Sequence, residues 1–224
     1  MAKTHAEFGE GSFSWKYIEK IGLDNAIPDE VYEGTPRILD LGCGSGRIVN
    51  YHLERNGKSQ ITGVDINSDD LALARSRFPD ATFYQNSMQD YDFNETYDLV
   101  SIVMAIHYLS DDKLAAMLSK ARSSMSNSGL FVALDAHPLR VSVDDGIDRY
   151  LDEGKREIHT PWGDVESYYY RTLGSYVSLF AEAGMRIRAL KEITVNASCR
   201  DFDPIEYEKY ALSPARFVIT ATAK

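Results

Sequence analysis

Three glycines at alternate positions, Gly42, Gly44 and Gly46, follow an apolar run that ends in Asp40. A second apolar run, about twenty residues past this turn, ends in Asp65. Glycines let a backbone turn sharply and approach a ligand closely, because no side chain intervenes. A carboxylate at that distance can accept hydrogen bonds from both ribose hydroxyls. The pattern predicts a nucleoside cofactor bound across the carboxyl ends of two neighbouring parallel strands.

The spacing of the glycines narrows the class of cofactor. A dinucleotide-binding fingerprint would have its third glycine at position 47, where this chain has Arg47. A phosphate-binding P-loop would have a lysine in the turn, and the turn contains none. The turn instead reads Asp-Leu-Gly-Cys-Gly-Ser-Gly. It closely resembles motif I of the class I methyltransferases that use S-adenosylmethionine (SAM). This resemblance implies that the turn faces the amino-acid part of SAM, which carries no phosphate.

The resemblance covers residues 36–135 well and residues 168–222 loosely. Residues 63–67 resemble the family's next element, which implies Asp65 as the ribose acceptor and Ile66 packed on the adenine ring. After the third strand the family often has an acidic residue that bonds the adenine amino group, whereas this chain offers Asn86, Ser87 or Asp90. The cofactor residues that the resemblance implies are Tyr17, Asp40, Gly42, Gly44, Gly46, Asp65, Ile66, Ser87, Met88 and Met104.

Two histidines are candidate general bases. Methyl transfer is an in-line displacement, and an amine or hydroxyl acceptor can need a base while a carboxylate does not. His107 is the first candidate, because it follows the fourth predicted strand at the edge where α/β proteins bind ligands. His137, beyond the fifth strand, is the second. A structural histidine bonded to a neighbouring group is the alternative for each of them.

Aromatic and basic residues outside the regular elements are candidates for binding the methyl acceptor. Trp162 and the tyrosines at 168–170 could form an aromatic wall for a planar substrate, or could simply pack a lid against the core. An anionic acceptor could be bound by Arg140, Arg149 or Arg171, although each of these could instead pair with the acids around it. The predicted substrate-binding residues are Phe13, Tyr108, Arg140, Trp162, Tyr168 and Arg171.

Composition and charge are those of a cytoplasmic enzyme. The chain has 224 residues, a formal charge of −10, 44% hydrophobic residues and two cysteines. We expect no membrane span, no signal peptide, no disulfide framework and no metal cluster. An acidic chain argues against a nucleic-acid backbone as substrate. The prediction is a monomer or homodimer that acts on a small molecule.

Strands and helices alternate from residue 37 to residue 135, as in a doubly wound α/β fold. We predict one domain with a mostly parallel seven-stranded sheet whose last strand is antiparallel, as in the methyltransferases. Residues 1–35 are predicted to form a helical flap, and the irregular residues 136–171 an inserted lid. Residues 196–214 are expected to interrupt the final hairpin.

The function predicted from this resemblance is transfer of a methyl group from SAM to a small-molecule acceptor, at nitrogen, oxygen or a carboxylate, in secondary metabolism. A protein or RNA methyltransferase is the first alternative. RNA enzymes that methylate a flipped base usually carry an Asn/Asp-Pro-Pro-aromatic string after the fourth strand, and residues 104–107 lack it. A non-catalytic protein with the same fold is the second alternative, which the intact glycines and Asp65 disfavour.

Overall fold

The computed structural model describes residues 11–140, 149–159 and 165–223. The predicted substrate residue Trp162 lies outside these ranges. At the N-terminal end a π-helical turn, Trp15–Glu19, continues into helix α1, Lys20–Asp24, and a 3-10 turn follows at Asp29–Tyr32. The remaining helices in the described ranges are α2 (Arg47–Arg55), α3 (Ser68–Arg77), α4 (Asp111–Ser124), α5 (Leu173–Glu182) and α6 (Pro204–Ala211).

Seven strands form the central sheet, and two more form a separate hairpin. The strands are β1 (Arg37–Leu41), β2 (Gln60–Asp65), β3 (Thr82–Gln85), β4 (Tyr97–Val103), β5 (Met125–Ala136), β6 (Gly154–His159), β7 (Val165–Tyr170), β8 (Arg186–Ile193) and β9 (Arg216–Thr222). The sheet order is β3-β2-β1-β4-β5-β9-β8. The first five strands pair in parallel, and β9 runs antiparallel to both of its neighbours. The predicted sheet is confirmed.

Successive residues of the central strands point to opposite faces of the sheet, and both faces are covered. On one face Leu39, Val100 and Phe131 pack in a cluster with residues of α4 and α5. On the other face Ile38 and Leu99 pack in a cluster with residues of α2, α3 and the N-terminal segment. Strands buried on both faces read as continuous apolar runs, which is the pattern seen in the sequence.

The structure corrects the expectation that residues 136–171 are irregular, and it adds a helix to the interruption expected at residues 196–214. Within residues 136–171, described in part, β6 and β7 pair along their whole length as an antiparallel hairpin. Residues 196–214 contain helix α6. Alternation in β7 is hidden because Tyr168, Tyr169 and Tyr170 are consecutive aromatic residues on both faces of a two-stranded ribbon. Among the described residues, no helix combines the length and apolar character of a membrane span.

The carboxyl ends of β1, β2, β4, β5 and β8 lie along one edge of the sheet, together with the start of β9. The glycine turn, the segment after β4 and the hairpin are connected to the sheet at this edge. In open α/β sheets this edge is where ligands bind. The fold therefore brings the glycine turn, Asp65, His107 and the β6–β7 hairpin to the same edge of the sheet.

Candidate functional site

The glycine turn adopts backbone conformations that favour glycine. Gly42, Gly44 and Gly46 have φ angles of 73°, 49° and 90°. A Cβ atom on Gly42 would lie 2.7 Å from Cβ of Ala105 and 3.6 Å from Cε of Met88. The turn thus fits closely against the segment that follows β4, and a side chain at Gly42 would force the two apart.

Asp65 lies beside the turn at the end of β2. Its Oδ2 accepts a hydrogen bond from the Gly44 N–H at 2.7 Å, and its Oδ1 accepts one from the Asn67 N–H at 2.9 Å. A carboxylate has about four acceptor positions, so Asp65 retains capacity for the hydroxyls of a ribose. The next side chain, Ile66, is 70% exposed. It offers an apolar surface beside the carboxylate, where a nucleobase would pack.

Asp40, at the end of β1, is a buried acid with one oxygen lacking a partner. Ser101 Oγ donates a hydrogen bond to Oδ1 at 2.8 Å, while Oδ2 has no partner among the described residues. Burial raises the pKa of Asp40 to about 7, and the nearby Asp65 carboxylate acts in the same direction. A buried acceptor without a partner is costly, so this oxygen is a candidate contact for a ligand cation.

These features fit SAM, which has a ribose, an adenine ring and a cationic amino-acid end. Three further predicted cofactor residues, Met88, Met104 and Ser87, follow β3 or β4 at the carboxyl edge of the sheet. Met88 lies next to Gly42, and Met104 directly follows β4 with a φ of 55°, which is unusual for a residue other than glycine. Ser87 is half-buried and donates a hydrogen bond to Asp90 at 2.8 Å. Asp90 thereby fixes the Ser87 hydroxyl beside the end of β3.

The N-terminal segment is attached to the residue that directly follows the turn. Glu19 is 2% exposed and lies between Arg47, at 3.3 Å, and Arg216, whose Nε and Nη2 donate to Glu19 Oε1 at 3.0 and 2.9 Å. The Arg47 guanidinium also lies 4.9 Å from the centre of the Trp15 ring. These two arginines hold the pKa of Glu19 below its ordinary value despite the opposing effect of burial. The segment is therefore coupled to the start of α2.

His107 and Asp135 form an imidazole–carboxylate pair at the carboxyl ends of β4 and β5. His107 Nδ1 lies 2.8 Å from both Asp135 oxygens, and Asp135 Oδ2 also accepts the His107 backbone N–H at 3.2 Å. Asp135 is 1% exposed, whereas the His107 side chain is 20% exposed. An Nδ1–H bonded to the carboxylate leaves Nε2 as the acceptor. This geometry suits a general base.

The β6–β7 hairpin packs against the same segment. The ring of Tyr168 meets the His107 ring edge-on at a centroid distance of 6.4 Å, and Tyr108 Oη donates a hydrogen bond to Glu166. Burial and this carboxylate raise the pKa of Tyr108 above its ordinary value. The hairpin thus positions aromatic side chains beside the candidate base.

Two predicted site residues have their polar atoms engaged inside the protein. His137 is 2% exposed, its Nε2 lies 2.8 Å from Glu192 Oε1, and its Nδ1 accepts the Leu139 N–H at 3.1 Å. Burial lowers its pKa, opposed by Glu192. Arg171 is 3% exposed and donates to Asp111 at 2.6 Å. It also donates to the carbonyl oxygens of Leu109, just before α4, and of Tyr169 in β7. Both side chains connect elements around the site.

Phe13, Tyr17 and Arg140 lie together on the far side of the site, next to α6. The Phe13 ring is 5.1 Å from that of Tyr17 and 6.1 Å from that of Tyr210, and the Arg140 guanidinium lies 5.1 Å from the Tyr210 centroid. The structure therefore groups these three predicted residues with each other, in a cluster that involves the segment between β8 and β9.

Sequence reasoning did not single out Asp135, Glu166 or Ser101. Asp135 carries the same signal as Asp40 and Asp65, because each is an acid at the carboxyl end of an apolar strand. Ser101 lies inside the apolar run of β4, where a lone hydroxyl requires a partner. Glu166 has no comparable signal, because its contact with Tyr108 depends on the folding back of the hairpin.

A cleft of about 740 Å³ lies away from this site, at the amino edge of the sheet, with Asp24, Glu33, Asp98 and Arg188 among its lining residues. Of the buried polar atoms that lack a partner in the described residues, none belongs to the cleft lining. The partnerless oxygen of Asp40, the glycine turn and the His107–Asp135 pair all lie at the opposite edge. We therefore assign the candidate site to the carboxyl edge.

Comparison with known proteins identifies the class. Residues 38–129 match the family model described as a methyltransferase domain. A SAM-dependent methyltransferase of Mesorhizobium loti superposes with a TM-score of 0.78 and 25% identity, covering 95% of this chain and 98% of that one. The glycopeptide N-methyltransferase MtfA, solved with SAM bound, superposes with a TM-score of 0.63 and 15% identity, covering 91% and 92%. The chain therefore has the fold of SAM-dependent methyltransferases, and its residues 38–129 match the methyltransferase domain.

The curated proteins that resemble this chain are named as methyltransferases of different kinds. An uncharacterized methyltransferase of Synechocystis sp. is 30% identical over 102 residues, which is 45% of this chain and 47% of the relative. The dTDP-3-amino-3,4,6-trideoxy-alpha-D-glucopyranose N,N-dimethyltransferase of Streptomyces venezuelae is 29% identical over 111 residues, 47% and 46% of the two chains. A trans-aconitate 2-methyltransferase of Acidovorax sp. is 27% identical over 129 residues, 57% and 46%. The chain spans about half the length of these relatives.

Proposed function

We propose that this protein transfers the methyl group of SAM to a nitrogen, oxygen or carboxylate of a small-molecule acceptor in secondary metabolism. The observation that carries the proposal is the His107–Asp135 pair, which lies at the same sheet edge as the glycine turn and beneath an aromatic hairpin. The names of two relatives, an amino-sugar dimethyltransferase and a trans-aconitate methyltransferase, indicate that those two proteins methylate small molecules.

In this proposal the cofactor occupies the turn. Gly42, Gly44 and Gly46 provide the space, Asp65 accepts the ribose hydroxyls, and Ile66 packs on the adenine ring. Ser87 and Met88 border the adenine, Met104 lies near the sulfur, and Asp40 faces the amino-acid end. Tyr17 is the N-terminal residue assigned to the cofactor, and its ring packs on Phe13, which in turn stacks on Tyr210 of α6.

The chemistry proposed for the chain consists of orientation, exclusion of water and removal of one proton. Bound SAM would supply an electrophilic methyl carbon on a positively charged sulfur, whose bond to that carbon would break to leave S-adenosylhomocysteine. His107 Nε2 accepts the proton that a nitrogen or hydroxyl acceptor loses as its new bond to carbon forms. Asp135 keeps the Nδ1–H oriented and stabilises the imidazolium that results. A carboxylate acceptor carries no proton, so His107 would then only position it.

The acceptor is proposed to bind between the segment after β4 and the hairpin. Tyr108 and Tyr168 line this position, and Trp162 belongs to the connection between β6 and β7. Phe13 and Arg140 would bound its far side. Arg171 and His137 support the site from within rather than contact the acceptor, because their donors and acceptors already have internal partners.

The proposal treats the chain as one domain of residues 1–224, with a flap at 1–35 and a lid at 136–171. We propose a cytoplasmic monomer or homodimer with neither nucleic acid nor membrane as a partner, in keeping with the formal charge of −10. A protein or RNA acceptor would require a groove open to a macromolecule. The hairpin packed on His107 supports an enclosed acceptor instead.

A binding assay followed by a turnover assay tests the proposal. We expect SAM and S-adenosylhomocysteine to raise the melting temperature and NAD to leave it unchanged. A ligand at about 100 times its dissociation constant adds about 2.7 kcal/mol to the free energy of unfolding. A panel of small carboxylic acids, amines and amino sugars with methyl-labelled SAM should then yield one methylated product. Stabilisation by NAD alone, or methylation only of protein or RNA, would contradict the proposal.

The role of the hairpin has its own test. Glu166→Gln weakens the contact with Tyr108, so we expect the acceptor KM to rise while the SAM dissociation constant stays the same. Glu157→Gln is the matched control, because Glu157 is an exposed acid on the opposite strand of the same hairpin. Equal kinetics for the two variants would show that the hairpin does not bind the acceptor.

A further inference from the structure

A chain of buried polar side chains leads from the 3-10 turn Asp29–Tyr32, through α2, to Asp40. Tyr32 Oη lies 2.8 Å from His52 Nδ1, His52 Nε2 lies 3.1 Å from Ser101 Oγ, and Ser101 Oγ lies 2.8 Å from Asp40 Oδ1. Tyr32 is 6% exposed, and His52 and Ser101 are fully buried. We call Tyr32, His52 and Ser101 the relay.

The donors of the relay can all point the same way. Ser101 has one hydroxyl proton, and the carboxylate at 2.8 Å is a better acceptor than the Leu39 carbonyl at 3.4 Å. Its oxygen then accepts from His52 Nε2–H, which leaves Nδ1 to accept from the Tyr32 hydroxyl. Burial lowers the pKa of His52 to about 3, so the imidazole is neutral and has one donor and one acceptor. The relay residues therefore carry no formal charge, and they present one oriented hydrogen bond, from Ser101, to Asp40.

Only one of the two Asp40 carboxyl oxygens, Oδ1, has a hydrogen-bond partner among the described residues. The other oxygen, Oδ2, is buried. The charged and titratable groups that face it are Asp65 on β2, Arg47 on α2 and the buried Cys43 thiol in the turn, besides His52. Arg47 is engaged by Glu19 at 3.3 Å and by the Trp15 ring, so no residue that the structure describes supplies a cation dedicated to Asp40. A cationic group brought by a ligand would satisfy the free oxygen.

We propose that the relay positions Asp40, and that binding the ammonium group of the cofactor at Asp40 Oδ2 releases a proton to solvent. This inference rests on the proposed function, because it concerns the same cofactor site. The relay holds Oδ1 in one orientation and leaves Oδ2 as the oxygen available to the ammonium group. Cofactor affinity then rises with pH until Asp40 is ionised in the free protein.

The test uses S-adenosylhomocysteine, titrated calorimetrically from about pH 5.5 to about pH 8 in two buffers of different ionisation enthalpy. We expect affinity to rise about tenfold per pH unit below about pH 7 and to level off above it, with close to one proton released per ligand at the acid end. The Ser101 hydrogen bond lowers the pKa of Asp40. Ser101→Ala should therefore move the midpoint upward by about one pH unit and weaken binding about tenfold below it.

Three further variants separate positioning from general damage. His52→Ala should shift the midpoint in the same direction, and His52→Gln should restore it, since an amide N–H can replace Nε2–H as the donor to Ser101. Tyr32→Phe keeps the ring and should give a smaller shift. If His52→Ala fails to fold, Ser101→Ala and Tyr32→Phe still provide the test. Ser124→Ala is the control, because Ser124 is another buried serine, bonded to Ala121 on α4.

The outcomes are distinguishable from those of the proposed function. Absence of binding at every pH would overturn the proposed function, and this inference with it. Normal binding whose affinity does not change with pH would overturn only the inference. So would folded Ser101→Ala and His52→Ala proteins whose midpoints coincide with that of Ser124→Ala.

Discussion

The Asp135→Asn variant tests whether Asp135 orients His107 for proton removal. In the wild-type protein the two Asp135 oxygens share the Nδ1–H of His107 and also accept the backbone N–H groups of His107 and Ala136, at 3.2 and 2.6 Å. Asparagine has one acceptor oxygen in place of two. It cannot serve both backbone donors and the imidazole, and its NH2 group would favour the wrong tautomer of His107.

The expected loss follows from the bond that is removed. A hydrogen bond to a charged group contributes about 1.5–3 kcal/mol. Losing it in the transition state, where His107 carries the proton, corresponds to a decrease in kcat of about 10- to 150-fold. His107→Ala removes the base itself and should reduce kcat by about 100-fold or more. The SAM dissociation constant should be nearly the same in both variants.

Single-turnover methyl transfer at saturating SAM is the assay, because slow product release would otherwise hide the effect. Asp98→Asn is the control, since Asp98 is an acid at the opposite end of β4 that accepts the Arg37 N–H at 3.0 Å. If His107→Ala lost activity while Asp135→Asn matched the control, the orienting role of Asp135 would be refuted. An unchanged single-turnover rate and pH profile in His107→Ala would refute the base itself and favour a carboxylate acceptor.

Three further outcomes are expected. Asp65→Ala should lose most of the thermal stabilisation by SAM, and equal stabilisation of variant and wild type would contradict the ribose assignment. Gly42→Val should abolish SAM binding measured by calorimetry, because its φ is 73° and its Cβ would lie 2.7 Å from Ala105. Burial raises the pKa of Asp40 from 3.8 to about 7, so this group stabilises the folded state below about pH 4 and loses that contribution as pH rises to about 7. In urea titrations Asp40→Asn should therefore gain stability relative to wild type across this window, and a constant difference would contradict it.

The sheet and the cofactor turn could be predicted from the sequence because both depend on local patterns. Apolar runs ending in Asp40 and Asp65 indicate strands whose carboxyl ends meet a ligand, and the spacing of three glycines distinguishes one cofactor from another.

The roles of individual polar side chains depend on residues distant in the sequence. Sequence position makes His107 and His137 equivalent, because each follows a strand at the same edge. Among the described residues, both ring nitrogens of His137 have internal partners, whereas the His107 ring has a partner only at Nδ1. The partners responsible, Asp135 and Glu192, lie 28 and 55 residues away along the chain.

Local sequence therefore determined the fold class, the cofactor turn and the edge of the sheet at which the chemistry lies. Only the tertiary structure decided which histidine has both ring nitrogens bonded internally, that Arg171 is buried in internal bonds, and that Asp40 Oδ2 has no partner among the described residues. The physical reason is that backbone conformation and apolar periodicity are set by near neighbours in sequence. Burial and hydrogen bonding, which set the charge and availability of a side chain, depend on strands and helices brought together from the whole chain.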